Sequence, residues 1–377
     1  MIFTQEYLFT VPDYYKDFAC KAEKCRRSCC LGWHVTMPMN DYFRLLGMEC
    51  PPAVRERLDR AMHVFDRPAP ERYAEFSRTY TGDCPLLCEN GLCMIQRECG
   101  EDAMPTVCRY YPRSPRTSFA YECALSASCE AVCELLFAKK EPMSFTKAAL
   151  AFSYPLPEPR SGGIAAYYKP VRKVFISALQ DRRFPVSDRL AACEKLASAL
   201  QESISAQDGE GVERLLELRA PLAPERFEDG LVSRGFDTAK KMLLRLSERY
   251  PIEKYAFTCE TDEYKELEKE FLKLFPAWET MCEQLLVNHV FYDGFPFYGE
   301  LKNDIRGAFA SLAALYAVWK VSAVCSLARG GGTDALADLT SEIFRMAENS
   351  NFNISAVALL ADGKGLERGN IKPLLAL

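Results

Sequence analysis

The sequence is short of several features that mark common classes of protein. Its 47 basic residues do not outnumber its 52 acidic residues, and they are mixed along the chain without the polybasic run that follows a phosphate backbone. Nucleic acid is therefore not expected as a partner. Only three histidines occur, at His34, His63 and His289, so a metal site with mixed histidine ligands is disfavoured.

Signals for export and for membrane insertion are also not found. The first residues lack the basic and apolar regions of a secretory signal. The longest uncharged apolar stretch, residues 307–319, is too short to cross a hydrocarbon core of roughly 30 Å. We therefore expect a cytoplasmic protein without a membrane span, and its 49% hydrophobic residues suffice for a globular core.

Cysteine is the residue type present in excess. The chain has 17 cysteines, and a reducing cytosol disfavours disulfides as their explanation. Thirteen of them lie before residue 134. The remaining four are Cys193, Cys259, Cys282 and Cys325. The chain therefore has a cysteine-rich first part and a second part of different composition.

The two parts also differ in predicted secondary structure. Turn-forming residues punctuate the first part and leave room for few helices. Three helices are predicted there, at about residues 40–49, 52–65 and 129–139. From about residue 160 onward, apolar residues recur at helical spacing. We predict a mainly α fold, in which an irregular cysteine-rich metal-binding module of residues 1–140 packs on an all-α domain of residues 141–377.

Eight cysteines are candidate ligands of a metal centre, because four fall within eleven residues and four more come from separate loops. They are Cys20, Cys25, Cys29, Cys30, Cys84, Cys93, Cys108 and Cys129. Soft thiolates favour zinc or iron-sulfur, and the two Cys-x2-Cys knuckles of a zinc ribbon do not occur, which favours a cluster with zinc as the alternative. Because adjacent side chains normally diverge, Cys29 and Cys30 are not both expected on one iron.

The other cysteines are predicted to be small packing residues, which is a common fate of this residue type. They are Cys50, Cys88, Cys99, Cys123 and Cys133, together with the four cysteines of the second part.

These motifs resemble those of the flagellin lysine N-methylases, whose amino-terminal part is similar to putative zinc- or iron-chelating cysteine-cluster proteins. The matching motifs are Phe18-x-Cys20-x4-Cys25-x3-Cys29-Cys30-x-Gly32-Trp33, Cys84-Pro85, Gly91-Leu92-Cys93-x-Ile95-Gln96, Cys108 with Pro112-Arg113, Leu125-Ser126 and Ser128-Cys129-x-Ala131. Two later stretches, Glu283-x-Leu285-Leu286-Val287-Asn288 and Phe295-Pro296-Phe297, resemble the carboxy-terminal half. The resemblance implies methyl transfer from S-adenosylmethionine to lysine side chains of flagellin, with a 4Fe-4S cluster.

The sequence does not identify the residues that bind the methyl donor. The sequence contains no G-x-G-x-x-G turn that could hold an adenosine ligand. The Cys-x3-Cys-x2-Cys pattern of radical enzymes does not occur either. The glycine run at residues 329–333 lacks the lysine of a phosphate loop, so we interpret it as a connector between helices.

Methylation of lysine requires a neutral amine, which needs a group that takes its proton and orients its lone pair. Glu283, Asn288 and His289 are the candidate catalytic residues, because they precede an aromatic segment at residues 291–297 that suits an alkylammonium group. The alternative is a helix end with a solvated carboxylate and packed aromatics. Other candidates, beside Cys108, are Tyr110, Tyr111 and Arg113. We expect catalysis where the two parts of the chain meet, since pockets favour domain interfaces.

Two other functions are compatible with the same cysteines. One is an iron-sulfur oxidoreductase that passes electrons through the cluster. The other is a zinc-stabilised adaptor without catalytic activity. The oligomeric state is left open.

Overall fold

A computed structural model describes residues 5–31, 35–152, 155–217, 227, 230–248, 259–297, 299–361 and 371–377. The described chain is mainly helical and contains two small sheets. It divides into two compact units. We call Met1–Phe18, Pro115–Ser128 and Val132–Leu377 the helical unit, and Ala19–Ser114 with Cys129–Ala131 the cysteine unit.

The helical unit contains one four-stranded sheet, in the order β5-β6-β1-β7. Its strands are β1 (Gln5–Pro12), β5 (Arg113–Arg116, which begins in the cysteine unit), β6 (Glu122–Leu125) and β7 (Phe145–Phe152). β1 is antiparallel to β7 along its whole length and parallel to β6. The inward side chains of Phe9 and Phe152 pack with ring centroids 5.6 Å apart. This pairing joins the start of the chain to segments more than a hundred residues away, so the helical unit is formed from several separate segments of the chain.

Most of the described helical unit is built from α-helices of 4 to 23 residues. They are α5 (Glu130–Ala138, which begins in the cysteine unit), α6 (Ile164–Leu179), α7 (Val186–Ser205), α8 (Gly209–Leu216), α9 (Leu231–Ser247), α10 (Thr261–Leu274), α11 (Trp278–Tyr292), α12 (Ile305–Leu327), α13 (Thr333–Glu348), α14 (Phe352–Ala361) and α15 (Lys372–Leu375).

Helix α12 forms the centre of the helical unit and is apolar around most of its circumference, as a helix surrounded by others requires. The Trp319 ring stacks on Trp278 at a centroid distance of 4.4 Å, and its indole N–H donates to Thr340. The helix continues through Lys320, whose buried ammonium pairs with Glu268 at 2.6 Å. α12 meets the length and composition of a membrane span, but 89% of its apolar window is buried inside the fold, as in the core helix of a globular protein.

The described residues of the cysteine unit form a three-stranded sheet in the order β2-β4-β3 and four short α-helices. The elements are β2 (Thr36–Met37), α1 (Met39–Leu46), α2 (Pro52–Ala61), β3 (Met62–Ala69), β4 (Arg72–Phe76), α3 (Met94–Cys99) and α4 (Thr106–Tyr110). A small core of aliphatic side chains, among them Leu45, Leu58 and Ile95, is fully buried. Cys84 belongs to this core, so at least one candidate ligand is anchored in it.

The prediction of a mainly helical chain is confirmed, with strands that the sequence pattern did not reveal. From residue 160 onward, the described residues contain helices and no strands, but β7 lies inside the region predicted as all α. The helix predicted over residues 52–65 ends at Ala61, because the chain turns there into β3 and pairs with β4. Residues 329–333 connect α12 to α13, as predicted.

Candidate functional sites

Seven cysteines of the cysteine unit form one group whose thiols interact. They are Cys29, Cys30, Cys84, Cys88, Cys93, Cys108 and Cys129. Cys30 interacts with four of them: its thiol makes hydrogen bonds with those of Cys29 and Cys84 and interacts electrostatically with Cys93 and Cys108. The fold thus gathers thiols from loops that are far apart in sequence.

Mutual repulsion and burial raise the pKa of these thiols. A hydrogen bond with Cys30 and then burial raise the pKa of Cys29, and the same two causes raise that of Cys84. Burial, followed by the neighbouring Cys30 and Cys93, raises the pKa of Cys108. A cation among these sulfurs would turn repulsion into attraction, because metal-bound thiols are deprotonated.

Backbone N–H groups point at the sulfurs of three predicted ligand cysteines. The acceptors are Cys25, Cys84 and Cys93, and the donors are the amides of Arg27, Leu86, Ile95 and Gln96. Such bonds favour the thiolate and act against burial, which is the larger effect at Cys25 and Cys93. Hydrogen bonds to sulfur also tune a bound cluster, so these amides fit a metal centre.

A tight turn shapes the loop that carries Cys84, Cys88 and Cys93. Gly91 lies at φ +81°, a conformation that L side chains rarely adopt, and its N–H donates to the Cys88 carbonyl at 2.9 Å. The Cys84 N–H donates to the Cys30 carbonyl at 2.8 Å. The second cysteine loop is therefore tied by its backbone to the first.

The side chains of the adjacent Cys29 and Cys30 were expected to diverge, but they do not. Their thiols make a hydrogen bond with each other, because the chain turns sharply here and the Leu31 N–H donates to the Ser28 carbonyl at 3.2 Å. Adjacent side chains diverge in a strand, but a turn brings them together. Gly32, Trp33 and His34, which follow this turn, lie outside the described residues.

The donor set fits a soft metal centre in its chemistry, since several thiols converge and backbone amides support them. Among the described residues, however, no group of three or more His, Cys, Asp or Glu side chains is arranged to hold a metal ion. The thiols thus converge, but the described side chains do not have the arrangement of metal ligands. Ligation by the eight predicted cysteines stays a prediction.

The other cysteines fall into distinct surroundings. Cys20 is exposed and interacts with the half-buried Cys25. The thiol of the buried Cys133 donates to the Ala127 carbonyl at 3.1 Å. None of the 17 cysteines, all of which are described, forms a disulfide.

Glu130 organises the loop that carries Cys20 and Cys25. Its carboxylate accepts hydrogen bonds from the backbone N–H of Arg26 at 3.0 Å, from that of Arg27, and from the Lys21 ammonium at 2.8 Å. Burial alone would raise the pKa of Glu130, but Lys21 and the two amides lower it overall. One carboxylate thus fixes residues 21–27 from a distant part of the sequence.

Replacing Glu130 with glutamine is expected to open residues 21–27, because losing hydrogen bonds to a charged acceptor costs about 1.5–3 kcal/mol. Trypsin should then cleave after Lys21, Arg26 or Arg27 roughly tenfold faster. The exposed Glu89→Gln is the control in the same unit. In the wild type the protection should persist at neutral pH and be lost as the pH falls through the lowered pKa of Glu130. Equal cleavage rates in both variants would contradict this role.

Glu283 is buried in the interior of α11, not at a solvated helix end. Its carboxylate binds Arg182 in a bidentate manner, with distances of 2.8 and 2.9 Å, and Arg189 at 3.0 Å. Arg189 also donates to the carbonyls of Leu179 and Phe184, so the three residues tie the α6–α7 connection to α11. This geometry favours a structural role, and the predicted catalytic role of Glu283 stays a prediction.

Asn288 joins three segments of the helical unit. Its carbonyl oxygen accepts from the Tyr14 hydroxyl, and its amide donates to the Leu125 carbonyl at 2.9 Å. Both functional groups of this buried side chain therefore have partners. Asn288 and Glu283 make separate sets of contacts, so the structure does not bring them to one point; the role predicted for Asn288 is not tested by these contacts.

His289 lines a cavity of about 230 Å³ within the helical unit. Glu348, from the end of α13, lines the same cavity, and its Oε1 lies 3.9 Å from His289 Nδ1. The other oxygen of Glu348 accepts a hydrogen bond from Ser126. Burial and then the charge of Glu348 raise the pKa of Tyr292. Of the three predicted catalytic residues, His289 lines this cavity.

Sequence reasoning did not find Glu348. It stands at the end of an amphipathic helix, where a carboxylate is usually solvated, and no motif includes it. The Leu125-Ser126 motif was the available signal, because Ser126 binds Glu348 and Leu125 binds Asn288. The alternative candidates Tyr110, Tyr111 and Arg113 lie in the cysteine unit, at the end of α4 and the start of β5.

Curated proteins similar to this chain are connected with lysine methylation and flagella. A lysine-N-methylase of Salmonella choleraesuis is 24% identical over 148 residues, which are 39% of this chain and 36% of that protein. A flagellar biosynthetic protein FliU of Salmonella muenchen is 25% identical over 114 residues, 30% of this chain and 66% of that protein. The match thus spans about a third of the length of the curated lysine-N-methylase. No solved structure matches this chain.

The helical unit carries the family assignment. The family model described as the FliB lysine N-methylase C-terminal domain matches residues 172–368, more than half of the chain. The protein therefore belongs to this lysine N-methylase family, as the sequence motifs predicted. The matched range includes α11, α12 and α13, and with them His289 and Glu348.

Proposed function

We propose that this protein transfers methyl groups from S-adenosylmethionine to lysine side chains of flagellin. The observation that carries the proposal is the match of residues 172–368 to the lysine N-methylase C-terminal domain. Two relatives support the substrate class, since one is named a lysine-N-methylase and the other a flagellar biosynthetic protein. We place the reaction in the cytoplasm, where the 17 cysteines would stay reduced.

The proposal includes a 4Fe-4S cluster held by thiolates of the cysteine unit. Its ligands would come from the eight predicted cysteines, and Cys30 is the first choice because it makes hydrogen bonds with two other thiols and interacts with two more. A cluster supplies one-electron chemistry and also stabilises the loops that carry its ligands. Amides of Leu86, Ile95 and Gln96 would bind the sulfurs and support their negative charge.

Mass analysis of flagellin after incubation with the protein and S-adenosylmethionine tests the proposal. We expect mass gains of whole methyl groups on lysine, and no gain when the donor is omitted. Flagellin whose lysines have been dimethylated chemically beforehand is the matched substrate control and should gain much less. Absence of methylation by a protein that retains iron would contradict the proposal and favour an oxidoreductase. Zinc in place of iron, without methylation, would favour the adaptor.

A further inference from the structure

The cavity beside His289 lies entirely within the helical unit. Its walls come from α11, α12, α13, α14 and the turn at residues 299–301. The cavity residues fall within the range matched by the methylase domain. Its volume of about 230 Å³ is large enough for one extended side chain but smaller than a typical pocket for a drug-sized ligand.

The charged residues of this cavity are acidic. Asp293, Glu300 and Glu348 line it, and no lysine or arginine occurs among the described residues of its wall. The exposure of the three carboxylates decreases from the exposed Glu300, through the half-buried Asp293, to Glu348, whose side chain is 1% exposed. A cavity lined by charge of one sign concentrates ligands of the opposite sign, so a cation is the favoured occupant.

Two buried polar atoms of the cavity residues are left without a hydrogen-bond partner. Glu348 Oε1 and His289 Nδ1 have no hydrogen-bond donor or acceptor among the described residues. Leaving a buried acceptor unsatisfied costs about 1–3 kcal/mol, and more for a charged group. The second oxygen of Glu348 is held by Ser126, so the first oxygen has a fixed position. A ligand with N–H donors would satisfy both atoms.

The remaining wall suits the stem of a lysine side chain. Val290, Phe295 and Leu312 supply apolar surface beside the carboxylates. A lysine carries three N–H donors on a compact ammonium at the end of a four-carbon stem. Apolar contacts for the stem and two acceptors for the head match this shape.

We propose that the cavity binds the acceptor lysine and that Glu348 Oε1 receives the proton of its ammonium group. This inference rests on the proposed methyl transfer. The Nζ–H bond breaks and the proton passes to Glu348, which frees the nitrogen lone pair. The lone pair then forms a bond to the methyl carbon of the sulfonium donor, the C–S bond breaks, and its electron pair stays on sulfur as a thioether. His289 Nδ1 is the second acceptor that orients the nitrogen.

Binding can be tested without catalysis, using n-butylammonium as a mimic of the lysine side chain. We expect n-butylammonium to raise the thermal unfolding midpoint of the wild type in a concentration-dependent manner, and 1-butanol at equal concentration to have a smaller effect. Glu348→Gln should abolish the difference between the two compounds. Glu342→Gln, on the same helix but outside the cavity wall, should retain it. An equal response of all three proteins would overturn the inference.

Kinetic measurements distinguish binding of the acceptor lysine from binding of the methyl donor, which is itself a cation. Glu348→Gln should lower kcat/KM for flagellin by a factor on the order of a hundred or more, as loss of a general base does. The KM for S-adenosylmethionine should stay unchanged. Asp293→Asn provides a second variant if Glu348→Gln does not fold, and should raise the KM for flagellin several-fold. An effect on the KM of the donor alone would assign the cavity to the sulfonium and overturn the inference.

These outcomes also distinguish failure of the inference from failure of the proposed function. Wild-type protein that methylates flagellin, with both cavity variants equally active, removes the cavity from the mechanism and leaves the function intact. Wild-type protein that does not methylate flagellin but binds n-butylammonium through Glu348 contradicts the proposed function alone.

Discussion

Replacing Glu283 with glutamine is expected to lower the free energy of unfolding by about 3–5 kcal/mol, the usual effect of removing one partner of a buried ion pair. The Glu283 side chain is fully buried and that of Arg189 is 4% exposed, so the arginine would keep a buried charge without its carboxylate. Glutamine keeps a single acceptor oxygen, so Arg182 would lose one of its two bonds to Glu283. Urea unfolding of the purified variant measures the change.

A surface carboxylate gives the matched control. Glu270→Gln breaks an exposed pair with Lys273 on α10 and should change the stability by less than about 1 kcal/mol. If Glu283→Gln were as stable as this control, the structural role of Glu283 would be contradicted.

The same variant tests the catalytic role that the sequence predicts for Glu283. Methyl transfer should be compared at a temperature at which both proteins are folded. A loss of activity by a factor on the order of a hundred, with unchanged stability and iron content, would support catalysis. Activity close to that of the wild type in the folded variant would leave Glu283 as a packing residue of α11.

Replacing Cys30 with serine is expected to remove most of the metal from the purified protein. Cys30 interacts with four of the gathered thiols, two of them through hydrogen bonds, and serine is a poor ligand for soft metals. Because metal binding and folding are coupled, the cysteine unit should also become less stable. Iron, zinc and sulfide analysis measures the content directly.

Two controls accompany this variant. Cys88→Ser changes a half-buried cysteine of the same unit that we predict to be a non-ligand. A quadruple alanine variant removes the four cysteines of the second part of the chain. These are Cys193, Cys259, Cys282 and Cys325. Both controls should keep full metal content. Serine is also introduced at each of the eight predicted ligand cysteines, one at a time, and at least four of these variants should lose the metal. Full iron content in all eight would refute the ligand assignment.

Periodicity was a good guide where helices bury one face and a poor guide where strands pair at long range. The helical spacing of apolar residues after about residue 160 predicted helices such as α12, and the glycine run at residues 329–333 predicted the connector after it. The strand β1 was not predicted, because its pairing partners β6 and β7 are more than a hundred residues away. Short strands depend on such partners, and a local pattern does not contain them.

Glu283 illustrates the same limit within the candidate site. Its motif identified the segment, but not what the side chain contacts. Arg182 and Arg189 precede it by about a hundred residues, and nothing in their local sequence pairs them with a carboxylate on α11. The neighbouring His289 belongs to the same motif-bearing helix yet faces a cavity. Side chains on one helix point in different directions, so membership of a motif does not define a site.

The sequence by itself determined the helical class, the cysteine-rich first part and the family, because these depend on composition, local periodicity and the spacing of motifs. Only the tertiary structure decided that Cys30 interacts with thiols from several loops, that Glu283 is neutralised by two arginines, and that Glu348 faces His289. The physical reason is that charge and hydrogen bonding act over a few ångströms in space, whatever the separation along the chain. A carboxylate becomes a structural anchor or a candidate base according to its neighbours, and the fold supplies those neighbours.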